Sequence, residues 1–139
     1  MQAKSSTRFF LQPNGVFTVS DAGAAVVETS EFEARGVHEA TQSGPLLVRR
    51  GVLHPGFKES SDNRVLRSGV GVRGNSVVLA ISRDGVNLWT FAALFRDELK
   101  CPDALYLDGF ISALWAADSG RDADLEKGPF AGVLTATAR

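Results

Sequence analysis

At 139 residues and 14.8 kDa, the chain is at most one ordinary domain, and a chain of that length buries about two thirds of its unfolded surface without staples. Hydrophobic residues at 44% and charged residues at 22% exclude disordered, collagen-like and coiled-coil classes. A net charge of −1 gives no global basic field for nucleic acid or an anionic membrane, and a single cysteine excludes an intrachain disulfide and every multi-cysteine zinc pattern.

In chain order, Arg8–Gln12 and Gly15–Ser20 flank Pro13-Asn14 and read as a hairpin. Asp21-Ala22-Gly23 is a further turn into a third apolar run, Ala24 to Val27. The acidic segment from Thr29 to Arg35 suits one or two helical turns, ended by Gly36. Leu46-Leu47-Val48 reads as a strand entered through Gly44-Pro45, with a turn at Arg50-Gly51 into Val52-Leu53. Residues 54–64 are a loop by composition.

Val70 and Val72 alternate with Gly71 and Arg73, and Gly74-Asn75 makes a turn. Val77–Ile81 is a continuous, β-branched apolar run of the kind expected for a strand buried on both faces. Leu88, Phe91, Ala92, Phe95 and Leu99 recur at helical spacing, which predicts an amphipathic helix over about residues 89–100, stopped by Cys101-Pro102. Ala104–Leu107 follows as a short strand, and Phe130–Thr137 can supply a last one. Strand, helix and strand in that order predict a βαβ unit with parallel strands. The fold class expected is α/β or α+β: a mixed sheet with a βαβ unit and flanking helices, in a single domain over residues 1–139.

Apolar runs of about five residues fall far short of the roughly 20 that span a bilayer, so no membrane span is expected. The first ten residues lack the apolar region of a secretory signal. Charge is uneven along the chain. Arg49 to Arg83 carries seven bases against two acids, whereas Asp97 to Glu126 carries eight acids against two bases. Eleven of the fifteen bases are arginine, the residue suited to bidentate capture of phosphate or carboxylate.

Asp108 lies just past a buried strand, where ligands of open α/β sheets bind, and Gly109 lets a ligand or backbone come close. Ser112 is near enough in sequence to line the same surface. The competing reading is an Asx cap on a turn. Arg64 and Arg67 beside a serine-rich loop can grip a phosphate, and Thr41-Gln42-Ser43-Gly44-Pro45 offers several donors to an oxyanion or sugar hydroxyl. Neither His38 nor His54 has a metal-ligand partner at useful spacing, so no metal or cofactor is expected. Cys101 before proline reads as an inert buried thiol. Gly69–Gly74 spells GxGxxG on a strand rather than at a helix start, so a dinucleotide site is rejected.

Taken together, Pro13–Phe17, Ala40–Val48, Gly51–Phe57, Arg67–Val72, Phe91–Asp97 and Ala104–Gly109 resemble, in order and spacing, the phosphodiester glycosidase family. Its best-known activity removes N-acetylglucosamine from a phosphate-linked mannose. The resemblance, closest to a bacterial branch, implies hydrolysis at a sugar anomeric carbon whose leaving group is a phosphate monoester. The ligand would be a carbohydrate or sugar phosphate, and the source a glycoconjugate or exopolysaccharide. It implies Asp108 as the catalytic carboxylate, Arg67 and then Arg64 as phosphate holders, and Gln42, Ser43, Gly44, Gly109 and Ser112 as substrate-binding positions.

Family domains begin earlier, with an Asn-Gly-Gly-Met or Asn-Ala-Gly-Met motif that is absent here. The resemblance therefore implies that the chain corresponds to the C-terminal part of such a domain, with a homo-oligomer as one way to complete it. Asp108-Gly109-Phe110 also departs from the usual Asp-Gly-Gly. The alternative readings are a non-catalytic sugar-phosphate-binding or polysaccharide-binding module and an inactive truncated domain.

Overall fold

A computed structural model describes residues 14–108 and 134–137. Among these residues eight strands form two antiparallel sheets. The first has the order β2-β1-β3, from β1 (Gly15–Ser20), β2 (Gly23–Glu28) and β3 (Val37–Ser43). The second has the order β5-β4-β8-β6-β7, from β4 (Leu46–Arg49), β5 (Val52–Leu53), β6 (Ser68–Arg73), β7 (Ser76–Ile81) and β8 (Asp103–Asp108). A helix, α1 (Leu88–Ala93), runs on into a wider π-helical turn over Leu94–Glu98.

Three layers result. Phe17 and Val26 of the first sheet bury against Leu46, Val70, Val72 and Leu105 of the second. On the opposite face of the second sheet, Phe91, Ala92 and Phe95 of the helical segment pack with Leu47, Val48, Cys101 and Ala104. Strand β6 shows how the sequence selects these faces. Its valines point to the sheet–sheet layer, and its glycines face the helix. A Cβ on Gly71 would lie 2.7 Å from the Cys101 sulfur and 2.8 Å from Phe95, so only glycine lets the helix come this close. In β4 a register shift between Leu46 and Val48 turns these two residues to opposite layers, as a bulge does.

The mixed α+β class holds, but the expected βαβ unit does not form. Every strand pairing among the described residues is antiparallel. The strands before and after α1 both run antiparallel to β6, which lies between them. They share a direction without sharing a ladder. Hydrophobic periodicity locates strands without naming their ladder partners, and the short Gly74-Asn75 turn commits β7 to β6.

Strand β7 also corrects the expectation of burial on both faces. It is the last strand of its sheet order, and Val77 and Leu79 remain 43% and 39% exposed. The first sheet covers Val70 and Val72 but leaves their β7 neighbours uncovered. The acidic segment forms a single 3-10 turn, Thr29–Glu31, and β3, Val37–Ser43, is a strand to which the sequence assigned no element. Arg8–Gln12 and most of Phe130–Thr137 lie outside the described residues, and residues 134–137 form no strand.

Candidate functional site

The carboxyl end of β8 meets the starts of both neighbouring strands. The Tyr106 N–H donates to the Pro45 carbonyl at 3.1 Å, and Asp108 is the register partner of Ser68. The pairing steps from Gly69–Tyr106 to Ser68–Asp108, leaving Leu107 as a bulged residue, a feature common beside active sites. The Ser43 hydroxyl donates to the Leu107 carbonyl at 3.1 Å. The backbone of Asp108 therefore lies one residue beyond a bulge held by Ser43, and opposite the residue that follows Arg67. Gly109 and Ser112, together with the Asp108 side chain, lie outside the described residues.

Arg67 is the chemically informative residue. It is 3% exposed, although an arginine is almost never fully buried unless paired. Its Nε donates to the Val86 carbonyl at 2.7 Å, Nη2 to the Asn63 carbonyl at 3.0 Å and Nη1 to the Tyr106 hydroxyl at 3.4 Å. No carboxylate pairs with it among the described residues, and two of its five N–H groups have no partner there. Its backbone is fixed as well, since its N–H donates to the Ser82 hydroxyl at 2.9 Å. A buried cation without a counter-charge is costly, and here neutral acceptors and the Tyr106 ring hold it in place.

A cavity of about 140 Å³ opens onto Arg67, walled by Phe57, Lys58, Ser61, Asn63, Leu88 and Trp89. The side opposite α1 comes from the 56–63 loop, which Asn87 pins down. The Asn87 side chain is fully buried. Its Nδ2 donates to the Glu59 and Ser61 carbonyls at 2.9 and 3.1 Å, and its Oδ1 accepts from the Thr90 N–H at 2.8 Å, capping α1. Sequence reasoning missed Asn87, Lys58 and Trp89. The signal for Asn87 was a polar cap residue directly before the apolar helical period; nothing in the sequence marked the other two.

The remaining expected residues are dispersed. Arg64 is exposed in the loop before Arg67. Gln42 is exposed on β3, and its amide donates to the Thr29 hydroxyl at 3.3 Å. Thr29 borders a second, wider groove of about 790 Å³, whose wall also includes Arg49, Leu53 and His54. Gly44 joins Pro45 through a cis peptide at the entry to β4. Arg49 on β4 binds Asp103 at 2.9 Å and also Glu31, tying the turn that follows β2 to the second sheet.

His54 stacks on Phe57 with ring centroids 4.8 Å apart, and its Nδ1 accepts from the Gly56 N–H at 3.0 Å. Burial lowers its pKa below the usual imidazole range. Burial likewise raises the Cys101 thiol, against a smaller opposing effect of Arg73, which leaves it a poor nucleophile. No group of three or more metal-ligating side chains occurs among the described residues, and no helix there is long and apolar enough to cross a membrane.

The described residues thus provide a bulge before Asp108 on β8 and, one residue before the ladder partner of Asp108, a buried guanidinium that lines a small cleft. The chain matches the phosphodiester glycosidase family over residues 10–134 and belongs to it. Among curated proteins it is similar to the uncharacterized protein YigE of Escherichia coli K12, with 34% identity over 116 residues. That match covers 81% of this chain and 45% of YigE, so the chain spans about half the length of that relative. A crystal structure of a hypothetical protein from Synechocystis matches 73% of this chain and 29% of its own, at 18% identity and a TM-score of 0.42.

Proposed function

We propose that the chain acts in hydrolysis of a sugar-1-phosphodiester, releasing the sugar from a phosphate-linked glycoconjugate or exopolysaccharide. Family membership supports hydrolysis of this general kind. The observation that carries the finer reading is Arg67, buried and without a carboxylate partner among the described residues. A phosphate leaves readily when its developing charge is held by preorganised donors.

In this reading the bond from the anomeric carbon to the phosphate oxygen breaks, the phosphate monoester departs against Arg67, and water supplies the new oxygen on that carbon, at once or after a covalent step, giving its proton to Asp108 or to solvent. Asp108 stabilises the oxocarbenium-like transition state, activates the water or attacks directly. Gly109 and Ser112 are the further substrate-binding positions that the family resemblance implies. Ser43 acts indirectly, by holding the bulge at Leu107.

The test is release of free N-acetylglucosamine from a synthetic N-acetylglucosamine-1-phosphodiester by the purified, folded chain. Release supports the proposal, and no release at any pH contradicts it. Saturable binding of the diester without release favours the non-catalytic binding module instead.

A further inference from the structure

We infer that the cavity over Arg67 is a subsite for a dianionic phosphate monoester and binds it more tightly than the monoanionic diester. The inference rests on the phosphate-holding role proposed for Arg67 and adds Lys58 as the residue that sets the charge preference.

Size comes first. At about 140 Å³ the cavity is well below the roughly 300–1,000 Å³ of sites that enclose drug-sized ligands. It suits a phosphoryl group and leaves the rest of the ligand outside.

Charge comes second. The residues lining the cavity include two cations, Lys58 and Arg67, and no acid. Arg67 offers two unclaimed N–H donors in a fixed plane, and the Lys58 ammonium has no polar partner among the described residues. A diester brings one negative charge, which leaves one cation unmatched. A monoester above its second ionisation, near pH 6, brings two.

The surroundings do not cancel this balance. Glu59 and Asp62 sit on the same loop but are exposed and do not line the cavity. Arg64 is exposed beside them. The α1 side contributes only Leu88 and Trp89, and the Tyr106 hydroxyl on β8, which is not part of the lining, accepts from Arg67. His54 stacks on Phe57, and burial lowers its pKa. Its protonation at low pH would strengthen anion binding as pH falls, which is opposite to the effect of ionising the ligand.

The consequence for the reaction is that the departing phosphate monoester is held more firmly than the substrate's own phosphate, so the product competes with the substrate.

Calorimetric titration of the full chain with methyl phosphate and with dimethyl phosphate, from about pH 5 to about pH 8, tests this across the phosphate's second ionisation near 6. At the upper pH methyl phosphate should bind about fivefold tighter, the gain expected of one further ion pair at a solvent-facing rim. The preference should fade as pH falls, and Lys58→Ala, a surface change that leaves the fold intact, should abolish it. Equal affinities at the upper pH, no binding of either ion, or a preference unchanged by Lys58→Ala would overturn the inference. Sugar release measured separately distinguishes the two ideas. Dianion preference without turnover keeps this subsite and removes the hydrolase reading. Turnover with equal affinities does the reverse.

Discussion

The guanidinium carbon of Arg67 lies 5.5 Å from the centroid of the Tyr106 ring, and the same group donates to the Tyr106 hydroxyl. Tyr106 is two residues before Asp108 on the central strand, and Arg67 directly precedes Ser68, the register partner of Asp108. One ring and one ladder pair thus connect the only charged side chain buried among the described residues to the strand end on which the proposed acid stands. A cation held by π-density and neutral acceptors keeps its charge available to a ligand, which a carboxylate partner would not allow.

Arg67→Ala should cost about 3 kcal/mol, because the Val86 and Asn63 carbonyls and the Tyr106 hydroxyl lose their donor in a buried setting. The thermal midpoint should fall by about 10 °C. Arg67→Lys restores the charge but not the planar fork. It should recover part of the stability and little of the phosphate affinity, as differential scanning calorimetry and phosphate titration of the two variants would show.

Asn87→Ala removes a helix cap and two loop anchors together. A loss of about 2–4 kcal/mol is expected. Because the loop forms one wall of the cleft, KM for a diester should rise while kcat changes little, a split that steady-state kinetics on the folded fraction would resolve.

The sequence made the elements easier to read than their partners. The β1–β2 hairpin, the β4–β5 turn, the β6–β7 pair and α1 all follow from turn residues and apolar spacing. What escaped were relationships between distant segments. The insertion of β8 between β4 and β6 is a tertiary choice that periodicity does not encode, and the βαβ expectation failed there. Val77–Ile81 looks like a doubly buried strand because its composition suits burial, but the first sheet is too narrow to cover it. β3 was hidden because only Val37, Thr41 and Ser43 of Val37–Ser43 are half-buried and none is fully buried, so no alternating apolar pattern marks it. At the site, arginines were visible as a cluster, whereas the burial that separates Arg67 from the exposed Arg64 depends on Val86, Asn63 and Tyr106, drawn from three separate segments.

His54 gives a pH signature. In the unfolded chain it titrates near 6.5, and burial lowers that value in the fold. Between the two values the unfolded chain holds a proton that the folded chain does not, so stability falls as pH drops from about 6.5 toward the folded value, and then levels off. His54→Asn, whose side-chain oxygen can accept from the Gly56 N–H in place of Nδ1, should flatten this slope in urea unfolding followed across that range.

Gly71→Ala places a methyl against the Cys101 sulfur and the Phe95 ring. Overpacking at such a contact costs about 1–3 kcal/mol. Phe95 and Cys101 must shift, and the midpoint of chemical denaturation should fall without change in its slope.

The most direct measurement is the rate of sugar release from an N-acetylglucosamine-1-phosphodiester by the unaltered chain and by Asp108→Asn, with thermal midpoints recorded for both. Release should fall by at least about a hundredfold in the variant, the lower end of what a positioned acid–base group contributes, while the midpoint stays within a few degrees. Equal rates in two equally folded proteins would remove Asp108 from the chemistry and contradict the account.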